Sequence, residues 1–156
     1  MTDTAAFQRT LRAADDNQLA AQLKPEDLSA LRDLRADIAP IFAASLQEAV
    51  AQLDRLLRCA PVSARLAVHA GEVQWASGAY ERGMTALRAR LLTALADHLI
   101  THGTTRIGVC QAAPCNCVYV DRSRARTRRY CCDQCNNRAA AAAYRKRRQE
   151  SSRPAS

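Results

Sequence analysis

Aromatic residues are scarce in this chain, which contains one Trp, four Tyr and two Phe among 156 residues. Its apolar residues are mostly alanine and leucine, both strong helix formers, whereas β-rich folds depend on branched and aromatic side chains. The length suffices for one domain and a small additional module, and it excludes two large domains. We therefore expect a mainly α-helical protein.

Long apolar runs are also absent. No stretch of 18 uninterrupted apolar residues occurs. The first residues, MTDTAAFQRTLRAADD, lack the basic start and the long apolar segment of a secretory signal. The pattern argues against a transmembrane helix and predicts a cytoplasmic protein with no membrane partner.

Acidic residues are nearly missing from one segment of the chain. Residues 106–148 contain eleven Arg or Lys against Asp121 and Asp133, a balance of +9. Residues 1–105 contain eleven basic and twelve acidic residues, a balance of −1. A basic segment beside a nearly neutral one predicts that a separate module contacts a polyanion.

The spacing of leucines predicts the helices of the nearly neutral part. Apolar residues three or four positions apart predict helices in residues 25–40, 46–59 and 81–102, and Gly103 suits the C-terminal cap of the last one. The first 23 residues are compatible with one or two short helices that break at residues 15–17. The predicted body is therefore helical.

The segment RLAVHAGEVQWAS, residues 65–77, changes from helical spacing to alternation. Its apolar residues can share one face of a β-hairpin whose tight turn lies at Ala70-Gly71. Two isolated strands are only marginally stable, so we expect this hairpin to pack on the helices or to join another strand.

Six of the seven cysteines lie between Cys110 and Cys135, a clustering that in a reducing compartment indicates metal binding. Cys110 and Cys115 are separated by four residues, and Cys131 and Cys135 by three. Two close thiolate pairs joined by a spacer match the needs of one tetrahedral structural zinc ion. Cys132 remains an alternative to Cys131, because two residues between ligands is the commoner spacing.

The residues around these cysteines predict a treble-clef-like zinc finger, made of a knuckle, a β-hairpin and a helix. CVYVD alternates like a strand, RSRAR is a polar turn, and TRRYC can return as the second strand before Asp133 opens an alanine-rich helix. We predict a zinc module in residues 106–148, after a helical domain in residues 1–105 and before a disordered tail in residues 149–156.

The same segment resembles a known family. The pattern has two cysteines separated by four residues, an aromatic residue two positions before D-x-S, an aromatic residue directly before a cysteine, and C-[GN]-N-R. It resembles the CGNR zinc finger of bacterial proteins. The positions that carry the resemblance are Cys110, Cys115, Tyr119, Asp121, Ser123, Tyr130, Cys131, Cys135, Asn136, Asn137 and Arg138.

The resemblance implies more than the zinc site. In these proteins an N-terminal helical part called the ABATE domain precedes the finger, and they are described as stress-induced transcription regulators. The order of helix, hairpin and helix in residues 25–102 is similar to a diverged ABATE domain. Asn136 stands where the family has glycine, and Asn tolerates left-handed backbone better than most residues.

Arginine dominates the basic residues of the module, and its planar guanidinium suits phosphate oxygens and guanine edges. We predict a zinc-dependent DNA-binding transcription regulator that contacts double-stranded DNA. It would have no enzymatic activity, because no histidine or carboxylate pair accompanies the cysteines. Alternatives are a thiol-based redox switch that uses the spare cysteines, and an RNA-binding module. The predicted nucleic-acid contacts are Arg122, Arg124, Arg126, Arg128, Arg129, Arg138, Arg145, Lys146, Arg147 and Arg148.

Overall fold

Six α-helices and two short antiparallel hairpins make up the described residues, 4–13, 16–60, 66–75 and 82–151, of the computed structural model. The mainly helical fold class predicted from the composition is confirmed. The chain divides into two compact units, Met1–Gly103 and Thr104–Ser156. Within the described residues, no helix combines the length and apolarity that crossing a membrane requires.

Among its described residues, the first unit contains five α-helices and one hairpin. Its elements are α1 (Thr4–Ala13), α2 (Asn17–Gln22), α3 (Leu28–Ile38), α4 (Leu46–Arg58), β1 (Leu66–His69), β2 (Glu72–Trp75) and α5 (Gly83–His102). One-turn 3-10 helices, Pro25–Asp27 and Ala39–Ala43, precede and follow α3. The second of these contains Pro40, so the proline ends the α-helix as its fixed backbone angle requires.

Polar side chains fix where these helices begin and end. Asp16 caps α2 by accepting a hydrogen bond from the Leu19 N–H (3.3 Å), which explains the break between the first two helices. Ser45 and Glu48 form a capping box at α4. Gly103 ends α5 with a positive φ of 58°, a backbone conformation that glycine adopts readily.

The core of the first unit consists of leucine and alanine. Leu19 and Leu23 from the second helix region pack with buried side chains of α3 and α5, among them Leu34 and Leu87. Small alanines in α5, such as Ala86, let the helices approach closely. The core is therefore built from leucine and alanine, the residues that dominate the apolar part of the composition, in which aromatic residues are scarce.

The hairpin forms at the predicted turn, with Leu66 opposite Trp75 and Val68 opposite Val73. Ala70 and Gly71 both have positive φ, as a two-residue turn of this kind requires. The expectation that its apolar face would be covered is wrong. Leu66, Val68 and Val73 are between 66% and 72% exposed, and the two strands form a sheet of their own.

The second unit contains β3 (Ile107–Val109), β4 (Val118–Val120) and α6 (Asp133–Ser151). The predicted outgoing strand is present as β4, but its partner is β3 and not the segment TRRYC. The segment TRRYC does not form a strand, because side chains form hydrogen bonds with its backbone N–H and C=O groups. The Asp121 carboxylate accepts the N–H of Arg128 (3.0 Å), and the Tyr119 hydroxyl donates to the Arg128 carbonyl (2.7 Å).

Gly108 in β3 is required by the Tyr119 ring opposite it. A Cβ atom at position 108 would lie 2.7 Å from the Tyr119 hydroxyl oxygen and 2.8 Å from the ring carbon Cζ. Because those distances are shorter than real Cβ contacts, only glycine fits beneath the tyrosine. The hairpin thus places the Tyr119 hydroxyl against the loop that leads to the cysteines.

Candidate metal centre

Four cysteine sulfurs come together in the second unit. The Sγ atoms of Cys110, Cys115, Cys131 and Cys135 all lie within 4.8 Å of one another. The Sγ of Cys131 is 3.7 Å from that of Cys115 and 3.6 Å from that of Cys135. A tetrahedral zinc ion with Zn–S distances of about 2.3 Å holds its sulfurs about 3.8 Å apart. The donor set therefore fits one zinc ion.

Two elements and one loop bring these sulfurs together. Cys110 follows β3, and its N–H donates to the Cys117 carbonyl (2.8 Å), which extends the hairpin pairing. The Cys115 N–H donates to the Ala112 carbonyl (2.7 Å) and closes the knuckle. Cys131 lies just before α6 and Cys135 lies in its first turn. Each cysteine pair is thus held by local backbone structure.

The structure brings the Cys131 sulfur, and not that of Cys132, into the group of four. Cys132 is exposed, and its Sγ lies 3.9 Å from that of Cys131, outside the group of four. Cys117 is also exposed and outside the group. Cys59 is an exposed thiol at the C-terminal end of α4, in the other unit.

The ligand thiols differ in how readily they ionise. The Cys117 N–H, 3.5 Å from the Cys115 sulfur, lowers the pKa of Cys115 to about 6. Burial raises the pKa of Cys135 to about 11 and raises that of Cys131 as well. Because zinc binds thiolates, its binding must release the protons of Cys131 and Cys135.

A buried carboxylate organises the loop between β4 and α6. Asp121 is 4% exposed and accepts the N–H groups of Ser123 (2.8 Å) and Arg128 (3.0 Å). Hydrogen bonds from Ser123 and Arg128 hold the pKa of Asp121 below its usual value. The Arg106 guanidinium donates to the carbonyls of Asp121 (3.1 Å) and Ser123 (3.0 Å). Hydrogen bonds to the Asp121 carboxylate and from the Arg106 guanidinium therefore hold the loop backbone in place.

Arg128 occupies a structural position in this loop. Its guanidinium donates to the Tyr130 carbonyl (2.9 Å) and to the Cys131 carbonyl, and it lies over the Tyr119 ring. It thereby holds the backbone that presents a zinc ligand. The sequence predicts Arg128 as a nucleic-acid contact, but two of its five N–H donors bind the backbone and hold the guanidinium in place, so we leave it out of the contacts proposed below.

Arg138 joins the two halves of the site. Its Nη2 donates to the Ala112 carbonyl in the knuckle (3.3 Å) and lies 3.3 Å from the Cys135 sulfur. The sequence predicts Arg138 as a nucleic-acid contact, and the structure gives its guanidinium these partners inside the module. Arginine spacing alone carries no signal that separates Arg106, Arg128 and Arg138 from the remaining arginines.

We expect Arg138→Ala to weaken zinc binding by about 10- to 100-fold, because groups that orient metal ligands typically contribute that much affinity. The affinity can be measured by competition with a chromophoric zinc chelator. Arg145→Ala is the matched control, since Arg145 lies on the same helix, is exposed and makes no hydrogen bond or ion pair with the described residues. Equal zinc affinities of the two variants would contradict the assignment.

Asn136 needs no glycine-like backbone. It lies in the first turn of α6, and its N–H donates to the Cys132 carbonyl (3.1 Å) as in any helix. The positive-φ residues of the second unit do not include it; Arg126 in the loop has a φ of 54°. The replacement of the family's glycine by asparagine therefore causes no strain in this chain.

The remaining predicted contacts are exposed. Arg122, Arg124, Arg126 and Arg129 lie in the loop, and their side chains make no hydrogen bond or ion pair with the described residues, although the Arg129 carbonyl accepts the Gln111 N–H (3.0 Å). On the last turns of α6, Lys146 is 3.9 Å from Glu150, and Arg145, Arg147 and Arg148 are exposed. The structure thus separates arginines that build the site from arginines that face solvent.

Comparison with known proteins agrees with this geometry. No curated protein shows detectable similarity to the chain. The resemblance noted in the sequence is confirmed for the module alone. Residues 106–148 match the CGNR zinc finger family, and this match together with the four-cysteine cluster points to one structurally bound zinc ion.

Proposed function

We propose that the zinc module binds nucleic acid, with double-stranded DNA as the partner, and that the protein is a transcription regulator. The observation that carries the proposal is the set of four exposed loop arginines whose side chains have no partner among the described residues. Arginines that only balanced local charge would pair with carboxylates, as Arg58 pairs with Asp54 in α4 (2.7 Å). Unpaired guanidinium groups are available to phosphate oxygens.

The charge distribution supports the same partner. Residues 106–148 carry a balance of +9, and the two acidic groups among them do not neutralise the loop. Asp121 is buried and bonded to backbone N–H groups, so it faces inward. A concentrated positive surface attracts a polyanion and accelerates its association.

The helix α6 offers a second contact. Beyond Cys135 only Ala139 is half-buried, while the rest of the helix up to residue 150 is exposed. Its alanine run has high intrinsic helix propensity, so it needs little packing to stay helical. An exposed helix with a basic C-terminal end has dimensions that the major groove of DNA admits.

Zinc has a structural role in this proposal, and the site has no catalytic one. All four positions of a tetrahedral ion are supplied by cysteine, which leaves no open position for a substrate. We further propose that the first unit is a diverged ABATE-like domain, on the order of its helices and hairpin. The protein would then act in the cytoplasm as a regulator of the kind the resemblance implies.

A gel-shift experiment with the full, zinc-loaded chain tests the proposal. We expect it to bind a duplex DNA in low salt, with an affinity that falls as salt rises because counterions are released. Protein stripped of zinc by a chelator should bind much more weakly. If the protein prefers single-stranded RNA, its partner is RNA and not DNA. If it binds neither duplex DNA, single-stranded DNA nor RNA, the proposal is refuted.

A further inference from the structure

An open cavity of about 550 Å³ lies in the second unit, and none of the four clustered cysteines lines it. One wall is the loop after β4, with Arg122, Thr127 and Arg129, and the other is the first turn of α6, with Asp133 and Asn136. Cavities between about 300 and 1,000 Å³ are typical of small-molecule sites. The size is larger than a single inorganic anion needs.

The walls of this cavity are held in place by bonds that a ligand would not have to break. Asp121 binds the backbone at both ends of the loop, Arg106 binds two of its carbonyls, and Arg128 fixes the backbone before α6. The cavity is therefore preformed, and a ligand entering it would pay little ordering entropy.

Opposite charges line the cavity without pairing. Arg122 and Arg129 supply guanidinium groups on the loop side, and Asp133 supplies a carboxylate on the helix side. Within the described part of the chain, none of these three side chains makes an ion pair or a hydrogen bond. A complementary ligand has an anionic group for the arginines and N–H or O–H donors for the carboxylate.

We propose that this cavity binds one nucleoside monophosphate unit. Its phosphate lies between Arg122 and Arg129, and the donors of its base or sugar face Asp133 and the Asn136 amide. Tyr130 is also among the lining residues, and an aromatic side chain suits a planar base. The inference rests on the proposed nucleic-acid function and deepens it, because the unit is either an unstacked nucleotide of a bound strand or a free nucleotide.

Nuclear magnetic resonance of the ¹⁵N-labelled, zinc-loaded full chain tests this site, since it detects weak binding and locates it. The probes are the 5′-monophosphates of guanosine, adenosine, cytidine and thymidine, with inorganic phosphate for comparison. We expect saturable shifts of the Thr127, Arg129 and Asn136 amides with at least one nucleotide. Inorganic phosphate should bind more weakly, because it cannot reach the helix side of the cavity.

Matched variants separate this cavity from general positive charge. Arg122→Ala with Arg129→Ala should weaken nucleotide binding by about tenfold or more, since charge-assisted hydrogen bonds to phosphate are lost. The control variant, Arg124→Ala with Arg126→Ala, removes the same charge from the same loop, but neither residue lines the cavity. Its nucleotide affinity should stay within about twofold of that of the unchanged protein. Asp133→Asn should change the preference among bases.

Three results would overturn the assignment: no saturable shift with any nucleotide, equal losses in the two double variants, or phosphate binding as tight as nucleotide binding. Gel shifts of the same proteins distinguish its failure from failure of the proposed function. Nucleic-acid binding without nucleotide shifts refutes the cavity and leaves the function. Nucleotide shifts without nucleic-acid binding refute the function and assign the cavity to a free nucleotide.

Discussion

Replacing Cys110 or Cys135 by serine should abolish tight zinc binding and unfold the second unit. The two thiols are buried, and the core around them consists largely of the ligands themselves, with Ala112 as the other buried member. So small a unit buries too little apolar surface to fold unaided. Structural zinc contributes roughly 10–16 kcal/mol in comparable small modules, so its loss exceeds any stability that the unit could retain.

The controls for this result lie in the same segment. Cys117→Ser and Cys132→Ser change exposed thiols outside the group of four, and both should keep about one zinc per chain, as the four-cysteine geometry requires. Zinc content can be measured by atomic spectroscopy, and folding by the dispersion of amide resonances from residues 104–151. Loss of zinc from Cys132→Ser but not from Cys131→Ser would show that the ligand set is different.

The helices of the first unit could be predicted because their signals are local. Leucine spacing, the Asp16 and Ser45 caps and Gly103 each depend on residues within a turn or two. The hairpin turn was equally local, since Ala70-Gly71 supplies the positive backbone angles. Whether the hairpin's apolar face would be covered depends on the rest of the fold, and there the sequence-based expectation was wrong.

The zinc site could be predicted in part for a different reason. Two close cysteine pairs constrain where sulfur atoms can meet, whatever the intervening chain does. Cys131 lies just before α6 and Cys135 in its first turn, and their sulfurs are 3.6 Å apart. The adjacent Cys132 necessarily points elsewhere, and its exposure shows this. Cys132 is closer to Cys135 in sequence than Cys131 is, and this spacing gives no indication that the Cys132 thiol is exposed.

The roles of the arginines could not be predicted, because residue type is the same for all of them. Arg128 and Arg129 are neighbours in sequence, yet the first binds two carbonyls before α6 and the second faces solvent. The pairing of β3 with β4 was missed for a similar reason. It depends on a tyrosine that packs across Gly108 and on a carboxylate that occupies the competing segment.

Removing the four free loop arginines should weaken DNA binding more than any other change that leaves zinc in place. Each phosphate contact that is lost should reduce the salt slope of log K by about 0.9, which corresponds to roughly tenfold in affinity at 0.1 M salt. The variant with Arg122, Arg124, Arg126 and Arg129 all replaced by Ala should therefore lose about a thousandfold or more in affinity, if all contact phosphate. Base preference should persist, because phosphate contacts carry no sequence information.

A control variant that loses the same number of positive charges distinguishes phosphate contacts of the loop from attraction by the net charge of the protein. Arg9, Arg12, Arg32 and Arg55 are exposed in the first unit, and their replacement by Ala also removes four positive charges. This control keeps all the proposed phosphate contacts, so it should retain the salt slope of the unchanged protein. Both variants should contain the same amount of zinc, since none of the eight side chains touches a ligand sulfur. If the loop variant keeps the DNA affinity and the salt slope of the unchanged protein, the loop arginines are only solvated surface. If both variants lose the same amount of DNA affinity, net charge alone attracts the DNA.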